Sequence, residues 1–339
     1  MNNDPAAPLP PPAPSAHTAK VLAAFGTFIA LIVLMVGLRI AVGENFWSAF
    51  NLRLILCQTA IVAIASCGMT MIIVAGGIDL SVGSVVALCG VLSALTVNAG
   101  WPPLVALGVA MLSGAAIGAL NGLMIAGFRM APFIVTLGMM GIARGSAKLI
   151  AHSEPVNIRP TWLDLLMRPF PLPQDPDWFK ALVVAPGVWM AVIIAIGMSL
   201  VMSRSVFGRY AYAIGSNEAG ARLCGIRVPL IKILIYGLAG ALVGLAGLLE
   251  MTMLHLGDST TAMGRELDVI AAVVIGGASL SGGTGTVLGT MIGALIMAIL
   301  RNGTQQLEWQ TATQEVIIGV VIILAVRIDQ LRNRRASLL

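Results

Sequence analysis

Apolar residues in this chain come in long unbroken runs rather than scattered at helical or strand spacing through polar sequence. Residues 21–42 form the first run and 54–76 the second. The interval 80–128 holds no Asp, Glu, Lys or Arg and is too long for one helix. Asn98-Ala99-Gly100-Trp101-Pro102-Pro103 breaks it, since Gly and paired Pro do not continue a helix. Runs at 82–98 and 103–127 result. Residues 130–150 form a fifth run, interrupted by Arg144 and Lys148, and 181–203 a sixth. Residues 229–253 form a seventh, with Lys232 near one end and Glu250 near the other. The charge-free interval 269–300 is dotted with Gly and divides at Ser281-Gly282-Gly283 into a short eighth run and a ninth; 312–328 closes the set. An apolar run of roughly 18 residues or more is long enough to span a bilayer as a helix. The pattern therefore predicts an all-α polytopic membrane protein with about ten transmembrane helices, some of them broken or short.

Composition strengthens this reading. The 339 residues are 58% hydrophobic and 10% charged, against roughly 25% charged in a soluble domain. There is too little polar surface to face water all round. The net charge of +5 is assigned to basic cytoplasmic loops, not to nucleic-acid binding, because no aromatic-interleaved basic patch accompanies it. Four cysteines, Cys57, Cys67, Cys89 and Cys224, show no metal-ligand or disulfide spacing.

Three parts follow. Residues 1–19, with six Pro in the first fourteen residues, form a disordered Pro-rich cytoplasmic tail. Residues 20–330 form the transmembrane domain, and 331–339 a basic cytoplasmic tail. The loop 204–228 carries Arg204, Arg209, Arg222 and Arg227 against Glu218, and the C-terminus carries Arg327, Arg332, Arg334 and Arg335 against Asp329. Positive loops stay inside, so both are expected to be cytoplasmic. Four spans between them and six before the first place the N-terminus inside as well. The mixed-charge loop 151–180 then faces outward, with Arg39 and Arg53 as mild exceptions on that side.

The loop 204–228 is the most structured of the polar segments. Gly215 and Ser216 are expected to break the preceding helix. Asn217 suits an N-cap and Glu218 the first turn of a new helix. Ala219, Gly220, Ala221 and Arg222 continue it with a small-residue face, Gly225 suits the left-handed C′ position, and Ile226 precedes the next span. A short, doubly capped knob suits insertion into a groove on another protein. At 76–84, GGIDLSVGS sets Asp79 within apolar sequence. An acid there is costly in a bilayer. Gly76 and Gly77 would end one helix, and Asp79 would cap the next through Val82, with Ser81 back-bonding nearby. Direct contact with a solute is the alternative. GGIDLSVG is echoed by GGASLSGG at 276–283, which arises from either an internal repeat or common Gly-rich helix composition.

Four segments together make the chain recognisable. GSNEAGARLCGI resembles the cytoplasmic loop of permease subunits in ribose-, xylose- and galactoside-type sugar ABC importers. GGIDLSVGS, APFIVTLGMMGIARG and ELDVIAAVVIGGASLSGGTGTVLGT resemble that family's other signatures, in order, from about residue 50 to 330. Gly220 stands where the family usually has Ala. The resemblance implies a type II ABC importer-like permease in the bacterial inner membrane, working with a second copy of itself. It implies an external solute-binding protein that delivers a monosaccharide. It also implies a cytoplasmic ABC ATPase with two fused cassettes, docked on Gly215–Ile226. ATP-Mg would sit on that partner. This chain lacks a G-x-x-x-x-G-K-[ST] loop, and no catalytic or metal-binding cluster is expected in it.

Candidate path or helix-break residues are Gly76, Gly77, Asp79, Ser81, Asn121, Phe133 and Thr136. Glu266 and Asp268 read either as first-turn acids or as external mouth contacts for the binding protein. Arg144 needs a partner that the sequence does not name. Other polar cargo (nucleoside, inositol, branched-chain amino acid) would suit the same architecture. An ion-coupled secondary transporter should show paired acids or His relays within spans, and His17, His152 and His255 lie outside mid-span positions. A membrane-embedded enzyme lacks a nucleophile–base pair.

Overall fold

The computed structural model describes residues 16–171 and 184–337. Most of the Pro-rich tail, residues 172–180 of the loop before the sixth run, the start of that run and the last two residues lie outside the described residues. In chain order the helices are α1 (Ala16–Val42), α2 (Ala49–Val74), α3 (Val82–Asn98), α4 (Pro103–Ala126) and α5 (Pro132–Ile150). Then come the one-turn α6 (Asp164–Met167), α7 (Pro186–Arg204), α8 (Val206–Ser216), α9 (Glu218–Leu223) and α10 (Val228–Leu254). The set closes with α11 (Arg265–Ile275), α12 (Val287–Gln306) and α13 (Thr311–Ser337). Each of the ten apolar runs appears as a helix.

Helix starts follow local chemistry. Pro opens α4, α5, α7 and α10 within their first two residues, where its missing N–H is no loss. Ser48 accepts from Asn51 N to cap α2, and Thr286 accepts from Gly289 N to cap α12. Among the described residues six helices are both long and apolar enough to cross a bilayer: α2, α4, α5, α7, α10 and α12. The chain is thus a multi-pass helical membrane protein.

Burial sorts these helices into layers. The most apolar window of α2 is 94% buried, whereas those of α4, α5 and α7 are 22–28% buried. α2 is therefore the central post, apolar on every side because every side meets protein. The outer helices turn most of their apolar surface outward, as helices against lipid do. α10 packs along α4 at the closest range two helices allow. A Cβ added to Gly114 would strike the Gly240 carbonyl, and one on Gly240 would strike that of Gly114. Small residues let the backbones touch, the usual packing device in lipid. A second, smaller core joins α1 to α12 through Leu31, Leu38, Ile296 and Ile299, with Phe46 and Ile55.

The described part of the 151–180 loop is more ordered than its sequence suggests. Val156–Asn157 (β1) pairs antiparallel with Leu256–Gly257 (β2), just beyond α10. Asn98 at the end of α3 donates from Nδ2 to Asn157 O at 2.7 Å and accepts from Arg159 N at 3.3 Å. Two-residue strands leave too little alternation to be read in advance.

Candidate functional site

At one end of the bundle, α8 and α9 form a projecting elbow. Asn217 Oδ1 accepts from Gly220 N at 2.9 Å, as an N-cap should. The far end closes as a Schellman motif: Gly225 N donates to Arg222 O and Ile226 N to Ala221 O, with Gly225 at φ +80°. Glu218 pairs with Arg222 at 2.6 Å and with Lys232 of α10 at 2.7 Å. Burial alone would push the Glu218 carboxyl up. The bonds to Arg222 and Lys232 outweigh it and hold the group below its ordinary value.

Two expectations about this elbow change. Gly215 and Ser216 do not break a helix; α8 runs through both and ends at Asn217. Gly215 is small for contact instead. A Cβ there would run into Val74 O and lie 2.7 Å from Gly283 N. Ala221 is not on the outer face either, being buried at 5% exposure, while Leu223 is 90% exposed. Leu223 was missed because an apolar residue ending an amphipathic turn reads as core. Ala219 and Arg222 share its exposure.

Behind the elbow three glycine segments meet. Gly283 N donates to Val74 O at 2.9 Å, joining the break after α11 to the end of α2. A Cβ on Gly282 would lie 2.8 Å from Gly215 O and 3.1 Å from Gly76 Cα. Tyr212 of α8 donates its hydroxyl proton to Gly285 O at 2.7 Å. The elbow therefore touches both interrupted segments at glycine backbone, where little can absorb a shift, and ties to the second through the Tyr212 side chain as well.

Asp79 sits nearby in a buried polar knot. Its Oδ1 accepts from Ser81 N at 2.8 Å and from Ser81 Oγ at 2.5 Å. It closes a turn onto Ser81 rather than capping through Val82 as expected, and Ser81 spends its hydroxyl on Asp79 rather than on a carbonyl. Asn121 of α4 donates from Nδ2 to Ser81 Oγ at 3.2 Å, and Tyr236 of α10 donates to Ile78 O at 3.2 Å. The break after α2 is thus tied to α4 and α10 by side chains. Asn121 Oδ1 is buried with no hydrogen-bond partner. Gly77 makes room for Tyr236: a Cβ there would lie 2.5 Å from its hydroxyl oxygen. Phe133 is outside this knot, 57% exposed on α5, and Thr136 returns its hydroxyl to Pro132 O at 2.9 Å.

The opposite end is held by charge. α10 spans about 40 Å at 1.5 Å per residue, and near its far end Glu250 meets Arg265 of α11 at 3.0 Å. Asp268 meets Arg301 of α12 at 2.6 Å. Asp268 is 1% exposed, so it faces the protein interior, and Glu266 lies half-buried against Gly83 of α3. Arg144 of α5 finds its partners in two carbonyls, Ser259 O at 2.6 Å and Thr261 O at 2.7 Å. Among the described residues no group of His, Cys, Asp and Glu is arranged to hold a metal ion.

A multi-pass bundle with two interrupted helices, pinned at one end and carrying a capped elbow at the other, is built as a transport protein. The chain belongs to the family described as the permease component of the branched-chain amino acid transport system, whose profile matches residues 51–326. It is 42% identical to the ribose import permease protein RbsC of Escherichia coli K12, over 89% of this chain and 92% of that one. It is 37% identical to RbsC of Bacillus subtilis over 94% and 96%, and 34% to the fructose import permease FrcC of Rhizobium meliloti over 89% and 84%. No solved structure matches. The family's members are permease components, so this chain moves solute and is not itself an enzyme.

Proposed function

We propose that this chain is the membrane subunit of an ATP-binding-cassette importer that carries a monosaccharide, a pentose or hexose. What carries the reading is the similarity to the ribose permeases along about nine-tenths of both chains. The family description names branched-chain amino acids, yet relatives at 31–42% identity carry ribose, fructose and arabinose in their names, which favours sugar. An external solute-binding protein delivers the sugar, and two copies of the chain form the conduit. A ten-span arrangement would set both termini and the α8–α9 elbow in the cytoplasm, in keeping with Arg204, Arg209, Arg222 and Arg227 there.

The elbow docks on a cytoplasmic ATPase with two fused cassettes, which holds ATP-Mg. Leu223, exposed on a helix fixed at both ends, is its apolar anchor. Movement of α9 passes through α8 to Gly215, and from there to Gly282 and Gly283 without slack. The outer end stays registered by the Glu250–Arg265 and Asp268–Arg301 pairs while the inner end opens.

Mild solubilisation of the tagged chain in its host tests this. The wild type is expected to bring down an ATPase, and Leu223→Asp to lose at least nine-tenths of it while eluting as a folded species. Ala221→Arg is a poorer probe, since its site is buried. ATPase stimulation with ribose, arabinose, fructose and leucine, binding protein present, identifies the cargo; a response to leucine alone would replace sugar with amino acid.

A further inference from the structure

A cavity of about 450 Å³ lies between the α1–α2 turn and the last turn of α12. It shares no lining residue with the Asp79 knot. Asn45, Ser48, Asn51, Asn302, Gln305 and Gln306 supply its polar wall. Five of these are carboxamides, and no charged side chain lines it among the described residues. A carboxamide donates and accepts at once, and so does a sugar or polyol hydroxyl. An ion entering this space would lose hydration without gaining a charged partner. Phe50 and Leu54 add an apolar patch suited to the C–H face of a polyol.

The wall is partly built in advance. Asn51 is 4% exposed and donates from Nδ2 to Phe46 O at 2.9 Å. Asn302 is 2% exposed and accepts from Gln306 Nε2 at 3.3 Å. Phe50 stacks on Phe170 at 5.7 Å and 7°, with the Arg53 guanidinium 4.3 Å over the Phe170 ring. Asn45 and Gln305 stand exposed at the rim. Beneath this exposed pair the two buried carboxamides are held in place by their own local bonds, so the polar wall is fixed before any ligand arrives. The volume falls in the roughly 300–1,000 Å³ range of small-molecule sites.

We propose that this cavity binds a neutral polyhydroxylated group, apart from the transport path. Its source is either a free sugar or the headgroup of a neutral glycolipid. That it opens on the outer side rests on the topology proposed above; the binding itself does not.

The test uses the full chain in nanodiscs. Trp47, 44% exposed in the same turn as Asn45, serves as fluorescence reporter, with Trp47→Phe as blank. One arm titrates D-ribose and sorbitol into phosphatidylcholine discs; the other adds monogalactosyldiacylglycerol to the discs. A saturable change, weakened at least tenfold by Asn45→Leu with Gln305→Leu, is expected in one arm, and that arm names the source. No saturable change in either arm, an unchanged response in the double variant, or an equal response to potassium phosphate would overturn the assignment. Asn45→Cys in a Cys224→Ser background, labelled by a membrane-impermeant maleimide, reads the side separately. Labelling from the inside only would sink the topology and leave the binding result standing.

Discussion

The two helix breaks, after α2 and after α11, are similar in sequence and are held by different forces. Both begin as Schellman turns. Gly76 N and Gly77 N donate to Ile73 O and Ile72 O, and Gly277 N and Ala278 N donate to Val274 O and Val273 O. Both continue into a side-chain turn two residues long, Asp79 to Ser81 in one and Ser279 to Ser281, at 2.8 Å between hydroxyls, in the other. There they part. The first break enters α3 at once and is fixed by side chains from α4 and α10. The second runs on through Gly282, Gly283 and Gly285, all at positive φ, and is fixed mainly by backbone contacts to α2 and α8, with the Tyr212 hydroxyl as a side-chain tie. One is a frame, and the other is a joint in contact with the elbow.

The contrast can be broken most severely at Gly215. Gly215→Ala puts a methyl against Val74 O and Gly283 N. A cost of about 1–3 kcal/mol is expected from overpacking, with a lowered melting temperature in detergent and uptake reduced at least tenfold in proteoliposomes. Next comes Asp79. Asp79→Ala strands the Ser81 N–H and should cost about 1–3 kcal/mol, while Asp79→Ser gives the first break the chemistry of the second. If the carboxylate is structural, Asp79→Ser is expected to regain most of the lost thermal stability. A Ser variant with wild-type stability and no uptake would move Asp79 to the substrate path.

A smaller effect is expected at the joint. Tyr212→Phe removes the bond to Gly285 O and should cost about 0.5–1.5 kcal/mol. Basal ATPase activity of the reassembled complex should persist while sugar-dependent stimulation falls, which separates coupling from stability. The smallest concerns Glu218. Its folded carboxyl lies below the ordinary value of 4.5. The anchoring it gives is therefore complete above that pH and lost as pH falls through the folded value. A spin label on Cys224, exposed where the other three cysteines are buried, should gain mobility below about pH 4.5. Glu218→Gln should be mobile at every pH.

How much of this was legible beforehand differs by kind of interaction. Asn217, Glu218 and Gly225 were read correctly because caps are local: donor and acceptor lie within four residues. Asp79 was placed in a helix break for the same reason, but its partner was misjudged by one residue, Ser81 and not Val82. Chain direction in so short a turn depends on the helices around it. The roles of Gly215, Ala221 and Leu223 were not legible, since each depends on which face of a short helix meets α2 and which meets solvent. Arg144 had no visible partner because carbonyls carry no sequence signature.

The sequence by itself determined a helical membrane protein, the order of its apolar helices, the two glycine-rich breaks and the capped elbow between α7 and α10, though not that α8 runs through Gly215. Apolar run length, Pro and Gly punctuation and capping residues all act within a few positions along the chain, so they survive without a fold. The tertiary structure alone decided that α2 is the buried centre, that Gly76, Gly215 and Gly282 meet, and that Glu250, Arg265, Asp268 and Arg301 pair across three helices. These contacts join residues as far apart along the chain as Gly76 and Gly282. Within a chain that is apolar nearly everywhere, hydrophobicity does not say which face meets which, and backbone-to-backbone fit does.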